Sequence, residues 1–308
     1  MSSKLLSIIT PCFNEEESIE HCYLTVKEIV SRLDDVTYEH IFSDNPSTDK
    51  TVSILENLAE KDPNVKVLVN SHNVGPFKNN HNALKYAHGD YVLVFLPADL
   101  QDPPQLIPEM INEINAGSEI VLGIRKTRLE NIFYKFMRRI FYVLMNLFSE
   151  HKVPVGAGEF MMITQKVHNI IKESDSLNPY IRGLVAQLNF KKTFVEYTWM
   201  KRVHGKSKNS FSDLVNQALN ALVMMALKPI RFFVYLGFTS TILGLIFAVL
   251  AYFNYDFNSV NFDLLIFIYL SVIIFSIGLV GEYIVTINSK VNENLKLQVI
   301  KKINIDQK

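Results

Sequence analysis

The 308 residues of the chain are enough for about two domains, and 31 Lys and Arg residues are balanced by 31 Asp and Glu residues. This zero net charge argues against a nucleic-acid binder, which would carry a basic excess, and the hydrophobic fraction of 48% excludes a mostly disordered chain. Two cysteines, Cys12 and Cys22, are too few for a disulfide framework or a four-cysteine zinc site.

Five short apolar runs in the first part of the chain predict β-strands, and amphipathic patterns between them predict helices. The runs are Leu5–Thr10, Tyr38–Ser43, Val65–Val69, Tyr91–Leu96 and Glu119–Gly123. Their alternation predicts an α/β domain with βαβ units and a mainly parallel sheet covered on both faces. Ligands of such sheets bind beyond the carboxyl ends of the strands, so the candidate site comprises Pro11–Glu15, Asp44–Asp49 and Pro97–Asp102.

Two later segments have the pattern of amphipathic helices. Asn131–Phe148 mixes large apolar and aromatic side chains with three basic residues, and Ser212–Lys228 leads directly towards an apolar run. A basic amphipathic helix in a membrane-anchored protein lies in the headgroup layer. Packing on the sheet explains the first segment equally well, whereas proximity to the apolar run favours a membrane position for the second.

Apolar residues concentrate in two long runs near the C-terminal end. Phe232–Phe253 contains no charged residue, and Leu264–Ile287 contains only Glu282. At about 1.5 Å per residue the first run spans about 33 Å, enough to cross a hydrocarbon core of about 30 Å. We therefore predict two transmembrane helices joined by the loop Asn254–Asp263, because both runs exceed the length of ordinary buried helices.

The charges that flank these runs predict the orientation of the hairpin. Lys228 and Arg231 precede the first run, several lysines follow the second, and the connecting loop has two aspartates and no Lys or Arg. We predict that the hairpin lies in the inner (plasma) membrane, and the positive-inside rule places both termini in the cytoplasm and the loop outside. No apolar segment opens the chain, so we expect no signal peptide. The predicted organisation is a cytoplasmic domain at 1–210, an amphipathic interface helix at 211–229, a transmembrane hairpin at 230–290 and a cytoplasmic tail at 291–308.

Several short motifs follow one another nearly from end to end of the chain. They are Thr10–Glu16, Asp44–Asp49, Ala98–Pro104, Arg182-Gly183-Leu184, Arg202-x-x-Gly205-x-Ser207-Lys208 and Gly281-Glu282-Tyr283. Each motif alone is weak, but their order and spacing are specific. Together they resemble the motifs of family 2 glycosyltransferases with the GT-A fold, a Rossmann-like α/β fold with a mainly parallel sheet. Within that family the resemblance is to the polyprenyl-phosphate glycosyltransferases, such as dolichol-phosphate mannose synthase and the bactoprenol glucosyltransferases.

The resemblance implies a nucleotide-sugar donor and a divalent metal ion, Mg²⁺ or Mn²⁺. Asp99 would be the principal metal carboxylate, with Gln101 as a second oxygen ligand, and Asp44 would hydrogen-bond the nucleotide base. A hard cation bound by oxygen ligands can absorb the charge that develops on a departing diphosphate. An ordinary turn in which Ser47 or Thr48 caps the next helix is an equally good reading of Asp44–Asp49, and it is compatible with binding. The implied donor-binding residues are Pro11, Asn14, Glu15, Asp44, Ser47, Ala98 and Asp99.

The acceptor implied by the resemblance is an undecaprenyl-type polyprenyl phosphate. Its second pKa is about 6, so at neutral pH the phosphate can attack the anomeric carbon, with inversion, without losing a proton. Glu159 and Asp102 are the implied catalytic residues, and Glu159 would then orient a substrate more than deprotonate it. A solvated basic loop near anionic headgroups is the alternative reading of Lys201–Lys208. The implied phosphate-binding residues are Arg182, Arg202, Ser207 and Lys208.

The chain departs from the family pattern at three places near this site. Pro97 stands where the metal motif usually has an aspartate, Asn45-Pro46 replaces Asp-Gly, and Glu159-Phe160-Met161 replaces Asp-Phe-Arg. We expect a membrane-bound glycosyltransferase that forms homo-oligomers, a tetramer by resemblance, contacts membrane lipid and binds no nucleic acid. The alternatives are a catalytically silent binding or regulatory subunit, motivated by Pro97 and Met161, and an enzyme that uses a glycan or another lipid as acceptor.

Overall fold

The computed structural model describes residues 3–127, 154, 156–173, 181–200 and 299–305, with isolated positions between 137 and 143 and between 239 and 287. Apart from those isolated positions, the two amphipathic segments and the two apolar runs lie outside the described residues. Among the described residues, none forms part of a helix that is both long enough and apolar enough to cross a membrane.

The described residues form one eight-stranded sheet with the order β7-β5-β6-β4-β1-β2-β3-β8. Strands β6 and β8 run antiparallel to their neighbours, and the other six point the same way. The prediction of an α/β fold with a mainly parallel sheet is therefore confirmed. The strands are β1 (Lys4–Cys12), β2 (Val36–Asp44), β3 (Val65–Asn70), β4 (Tyr91–Leu93), β5 (Ile120–Thr127), β6 (Ala157–Thr164), β7 (Lys192–Thr198) and β8 (Val299–Ile303).

Helices cover both faces of the sheet, as expected for strands whose side chains are apolar on both sides. Leu6 and Ile8 of β1 pack into a core with the first and fourth helices, whereas Ile9 packs into a second core with the third, fifth and sixth. The helices are α1 (Ile19–Val30), α2 (Thr51–Lys61), α3 (Gly75–Leu84), a 3₁₀ helix (Pro104–Leu106), α4 (Ile107–Asn115), α5 (Gln165–Lys172) and α6 (Ile181–Gln187).

The order of the strands reverses at β1. From β1 the chain first adds β2 and β3 on one side and then returns to place β4 on the other side. In open α/β sheets such a switch point leaves a crevice outside the carboxyl ends of the strands. The segment after β1 and the segment after β4 therefore meet at the predicted site.

The last described residues differ from the tail predicted at 291–308. Val299–Ile303 forms β8, which pairs antiparallel with β3 and closes one edge of the sheet. Asn304 has a φ of 55° and donates through Nδ2 to the carbonyls of Ala59 and Val65 at 2.7 and 2.9 Å. The sequence Val-Ile-Lys-Lys-Ile has no clear alternation, so only its pairing with β3 makes this segment a strand.

Candidate active site

A cavity of about 390 Å³ opens at the carboxyl ends of β1 and β4. Its volume is within the range of pockets that hold small molecules and cofactors. Six of the residues implied by the motifs line it: Pro11, Glu15, Ala98, Asp99, Glu159 and Arg182. The predicted residues Asn14, Asp44, Ser47, Gln101 and Asp102 are not part of this lining, and Arg202, Ser207 and Lys208 lie outside the described residues.

The loop after β1 and the loop after β2 are joined into one wall of the cavity. The backbone N–H of Asn14 donates to Ser47 Oγ at 2.8 Å, and Asn14 Oδ1 accepts from the backbone N–H of Thr48 at 2.7 Å. The backbone N–H of Glu15 donates to Thr51 Oγ1 at 2.8 Å. Asn14 has a φ of 54°, a conformation that asparagine tolerates better than most residues. The bond accepted by its side chain and the positive φ explain why asparagine suits position 14.

Asp44 is fully buried and supports this wall from behind. Its two carboxylate oxygens accept hydrogen bonds from the backbone N–H of Ser47 at 2.9 Å and from the Ser47 hydroxyl at 2.5 Å. Burial raises the pKa of Asp44, and the two bonds from Ser47 oppose that rise. Ser47 thus closes a turn onto Asp44, and neither Ser47 nor Thr48 caps α2, which begins after Lys50 without a side-chain cap; the prediction of a capped helix is therefore wrong, and the neighbouring Asn45 is the residue that lines the cavity.

Asp99 lies in a tight turn that follows β4. The backbone N–H of Leu100 donates to the Pro97 carbonyl at 3.0 Å, and Leu100 has a φ of 52°. Asp99 Oδ1 accepts from the backbone N–H of Gln101 at 3.1 Å. Pro97 fixes the start of this turn through its ring, and it lines the cavity without adding a charge.

The described residues contain no group of three or more His, Cys, Asp or Glu side chains that could hold a metal ion by themselves. Mg²⁺, however, is commonly bound by one or two carboxylates together with substrate phosphates and water. Asp99 is only 7% exposed and lines the cavity, so it fits a cation of this kind. The residues therefore fit a metal ion that arrives with a phosphorylated substrate.

Gln101 is hydrogen-bonded to Met200, which lies two residues after the end of β7. Gln101 Nε2 donates to the Met200 carbonyl at 3.2 Å, and the backbone N–H of Met200 donates to the Gln101 carbonyl at 3.0 Å. Gln101 itself does not line the cavity. Its side-chain amide thus joins the Asp99 turn to the exit of β7.

Asp102 is fully buried beneath Arg125 of β5. Its two oxygens accept from Arg125 Nε at 2.9 Å and from Nη2 at 2.6 Å, and the Tyr197 hydroxyl donates to the first at 2.5 Å. Burial disfavours the charged form of Arg125, but the Asp102 carboxylate outweighs this and raises the pKa of Arg125. Asp102, predicted as catalytic, therefore positions Arg125 and does not reach the cavity.

Arg125 lines the cavity and was not among the predicted site residues. Its guanidinium lies over the ring of Trp199, 5.2 Å from the centroid, and against Gly158. A Cβ at Gly158 would lie 3.2 Å from Arg125 Nη2, a tight contact that the guanidinium could relieve only by shifting by a few tenths of an ångström. Its position in the sequence could have identified Arg125, because it lies two residues after Gly123, the carboxyl end of the predicted strand.

Glu159 and Arg182 form a second charged pair in the cavity lining. Arg182 Nε donates to Glu159 Oε1 at 3.0 Å, and Arg182 Nη1 donates to the Ala157 carbonyl at 2.8 Å. Glu159 is 6% exposed, and among the described residues its Oε2 has no hydrogen-bond partner. Burial raises the pKa of Glu159, and the guanidinium groups of Arg182 and Arg125 oppose that rise. One oxygen of a buried carboxyl group is therefore left for a ligand.

The sequence profile described as glycosyl transferase family 2 matches residues 7–171, more than half of the chain. The chain belongs to glycosyl transferase family 2. The predictions of a glycosyltransferase and of a GT-A α/β fold are thereby confirmed. A second profile, described as the GtrB C-terminal hairpin, matches residues 228–287.

Relatives support the same family. The glycosyltransferase YkcC of Bacillus subtilis is 30% identical, and the match covers 98% of this chain and 95% of the relative. The bactoprenol glucosyl transferase of Shigella phage SfV is 33% identical over 75% of each chain. Among solved structures, the mannosyltransferase PcManGT from Pyrobaculum calidifontis, in complex with GDP-Man and Mn²⁺, matches with a TM-score of 0.49 and 18% identity. That match covers 71% of this chain and 61% of PcManGT, less than two thirds of its length.

Proposed function

We propose that this glycosyltransferase transfers a sugar from a nucleotide-sugar donor to a polyprenyl phosphate at the cytoplasmic face of the membrane, with a divalent metal ion and inversion. The observation that carries the proposal is the composition of one cavity, in which the carboxylate of Asp99 and the guanidinium groups of Arg125 and Arg182 converge. A transfer between two phosphates needs this combination, because both substrates bring concentrated negative charge to one place.

The half of the cavity next to β1 and α3 suits the nucleotide. Phe13 and Phe77 offer aromatic rings there, and Asn45 and Asn73 offer amide groups that can both donate and accept hydrogen bonds. Aromatic rings stack on bases of any kind, and amides match the edges of a base. The joined loops after β1 and β2 would keep this half of the cavity preformed.

The metal ion would be held by Asp99 together with the diphosphate of the donor. When bound, it would neutralise the negative charge that develops on the leaving nucleotide. Asp99 would bind this ion from the lining of the cavity, and the turn closed by the Leu100–Pro97 hydrogen bond would hold the carboxylate in place. Mg²⁺ and Mn²⁺ both suit a site of oxygen ligands.

The half of the cavity next to β5, β6 and α6 suits the acceptor phosphate. Arg125 and Arg182 can each donate two hydrogen bonds to a phosphate, and Arg125 is already held in place by Asp102. Glu159 lies beside them, and burial disfavours its charged form, which reduces its repulsion of a phosphate dianion. Glu159 Oε2 would orient the acceptor or a sugar hydroxyl. Arg202, Ser207 and Lys208 would complete the phosphate site.

The topology of the sheet supports a cavity that faces the membrane. The segments predicted to contact lipid leave the sheet after Thr127 of β5 and Thr198 of β7, and they return at Ala157 of β6 and Val299 of β8. All four positions are at the carboxyl edge, where the cavity opens. Because β7 and β8 belong to one sheet, the chain between them must cross any membrane an even number of times. A two-helix hairpin with both ends in the cytoplasm meets this condition.

The proposal is tested with the purified full chain in lipid nanodiscs, undecaprenyl phosphate, Mg²⁺ or Mn²⁺ and a panel of labelled nucleotide sugars. We expect mass spectrometry to detect one lipid-phosphate sugar, formed with one donor. Transfer to a glycan or another lipid, with none to undecaprenyl phosphate, would contradict the proposed acceptor. Nucleotide binding that is indifferent to divalent metal, without turnover, would instead support the silent binding subunit.

A further inference from the structure

A line of buried polar side chains joins helix α3 to the carboxyl-terminal parts of β2 and β3. Asn79 Oδ1 accepts from the Ser43 hydroxyl at 2.5 Å and from Asn70 Nδ2 at 2.7 Å, and Asn79 Nδ2 donates to the Ser43 carbonyl at 2.7 Å. Asn82 Nδ2 donates in turn to Asn70 Oδ1 at 2.9 Å. Each of these four residues is at most 8% exposed, so their bonds are formed inside the protein.

These bonds fix the direction in which the Asn79 amide faces. The Ser43 carbonyl can only accept, so the amide nitrogen has to lie against it, and both lone pairs of the amide oxygen are then taken by Ser43 and Asn70. One N–H of Asn79 Nδ2 has no partner among the residues that the structure describes. Asn79 also lines the cavity, together with Phe77 of the same helix. What its side chain can offer a ligand there is a hydrogen-bond donor.

Two other asparagines of the cavity lining have a similar arrangement. Asn45 Oδ1 accepts from the backbone N–H of Val74 at 3.3 Å, and Asn73 Oδ1 accepts from that of Gly75 at 2.9 Å. Neither amide nitrogen has a hydrogen-bond partner within the described part of the chain. Because each oxygen is turned towards a backbone N–H, each nitrogen is the main group left for a ligand. The nucleotide half of the cavity is thus lined by amide donors on three asparagines.

Nucleobases differ in what they present to such donors. Uracil and guanine carry keto oxygens, which accept hydrogen bonds, where cytosine and adenine carry amino groups, which donate them. An amino group opposite an amide N–H brings two donors together and leaves both without an acceptor. Leaving a buried donor unpaired costs more than a typical hydrogen bond contributes. A lining of donors therefore favours a base with keto oxygens.

We propose that Asn79, held by Ser43 and Asn70, is a specificity-determining residue: with Asn45 and Asn73 it selects a nucleotide whose base presents keto oxygens. This inference rests on the proposed function, which places a nucleotide in this half of the cavity. The selection depends on the direction of the amides, so an oxygen in place of the Asn79 nitrogen should weaken it.

The experiment measures the binding of four nucleoside diphosphates to the full chain in nanodiscs with Mg²⁺, by isothermal titration calorimetry. They form two pairs in which a keto group is exchanged for an amino group: UDP with CDP, and GDP with 2,6-diaminopurine riboside diphosphate. We expect the pair that binds more tightly to favour its keto member by about 5-fold to 100-fold, the range for leaving one buried donor unpaired. Asn79→Asp keeps the size of the side chain and replaces the donor nitrogen with an oxygen, so this preference should fall to about 2-fold or less. The new charge acts alike on both members of a pair, so the ratio of their Kd values isolates the contact with the base.

Asn80→Asp is the matched control, because Asn80 lies next to Asn79 in α3, is equally buried and does not line the cavity. It should leave the ratio of Kd values within about 2-fold of the wild type, less than the loss of one hydrogen bond. Asn73→Asp, at an exposed position, should also reduce the ratio, and it provides the test if Asn79→Asp does not fold.

Equal binding of the two members of a pair by the wild type, or a preference for the amino member, would overturn the proposal. An unchanged ratio in the folded aspartate variants of Asn79 and Asn73 would overturn it as well. Failure of the wild type to bind any of the four diphosphates would instead overturn the proposed function, and the selection of the base with it.

Discussion

Arg125 Nε and Nη2 lie 2.9 and 2.6 Å from the two carboxylate oxygens of Asp102, so the guanidinium that lines the cavity is held from below by a fully buried acid. A paired arrangement of this kind fixes the plane of the guanidinium as well as its position. Asp102, which the sequence motifs imply is catalytic, thus acts by positioning Arg125, a residue outside those motifs. Three of the predictions below follow from this pair and its surroundings.

Removal of Asp102 should cost both stability and activity. Asp102→Ala leaves the buried Arg125 without its partner, and breaking such a pair typically lowers the free energy of unfolding by about 3–5 kcal/mol. Asp102→Asn keeps the shape of the side chain, and we expect it to retain the fold but to lower kcat. Denaturant unfolding and transfer assays measure the two effects. Glu196→Gln is the control, because its pair with Lys126 joins the same strands β5 and β7 at the surface and should matter by less than about 1 kcal/mol.

Gly158→Ala should impair transfer by displacing Arg125. The new Cβ would lie 3.2 Å from Nη2, a contact that should shift the guanidinium by a few tenths of an ångström relative to Asp102 and Trp199. Trp199 is the only tryptophan in the chain, so its fluorescence reports on this displacement. In an Arg125→Lys background the alanine should cause little further loss, because residues that share one interaction are not additive. Additive losses in the double variant would show that Gly158 acts on something other than Arg125.

Arg182 should set the pH at which Glu159 ionises. Burial already raises the pKa of Glu159, and Arg182 and Arg125 are the charged groups that oppose the rise. Arg182→Met removes one of these cations, so the pKa of Glu159 should rise further, and the part of the pH–kcat profile that depends on Glu159 should move to higher pH. Arg182→Lys should move that part some of the way back, and Glu159→Gln should remove it and leave only the pH dependence of the acceptor phosphate. A raised KM for the acceptor with an unmoved Glu159-dependent part would identify Arg182 as a phosphate ligand alone.

His40 should make the fold sensitive to moderate acid. It is fully buried, bonded through Nε2 to Thr10 Oγ1 at 2.9 Å, and burial lowers its pKa to about 3. The unfolded chain binds this proton near pH 6.5 and the folded chain does not, so stability should fall as pH drops below about 6.5, by about 1.4 kcal/mol per unit.

Asp62, with a pKa of about 2, acts in the same direction but only below about pH 4. The effects of His40 and Asp62 on stability therefore fall in different pH ranges. His40→Gln should flatten the fall in the thermal midpoint between pH 6.5 and 5, whereas His21→Gln at an exposed position should not. An unchanged slope in His40→Gln would mean that His40 accepts a proton in the folded state.

The sequence predicted those parts of the fold that depend on local pattern. The runs that became β1 to β4 are apolar enough to be recognised singly, and the parallel order placed Pro11 and Asp99 at one edge of the sheet. Strand β8 could not be predicted in this way, since it forms only because β3 leaves an open edge. Arg125 was missed for a related reason: its position depends on Asp102, Gly158 and Trp199, which are distant in the sequence.

The turn at Asp44 is a second example of a feature that local sequence does not predict. The motif Asp44–Asp49 is compatible with a base contact and with a turn in which Ser47 or Thr48 caps the next helix. The structure contains no such cap, because the Ser47 hydroxyl donates to Asp44 and accepts from the backbone N–H of Asn14. The contact between Asn14 and Ser47 could not be predicted from local sequence, because the two residues belong to different loops.

The central claim is that Asp99 holds the metal ion together with the substrate phosphates. It is tested most directly by titrating Mn²⁺ against turnover for the wild type and Asp99→Asn, with the active donor and undecaprenyl phosphate. The account predicts metal-dependent turnover in the wild type and a loss of about 100-fold or more in Asp99→Asn, as expected when a main source of transition-state charge stabilisation is removed. Equal turnover of the two proteins at every Mn²⁺ concentration would contradict it.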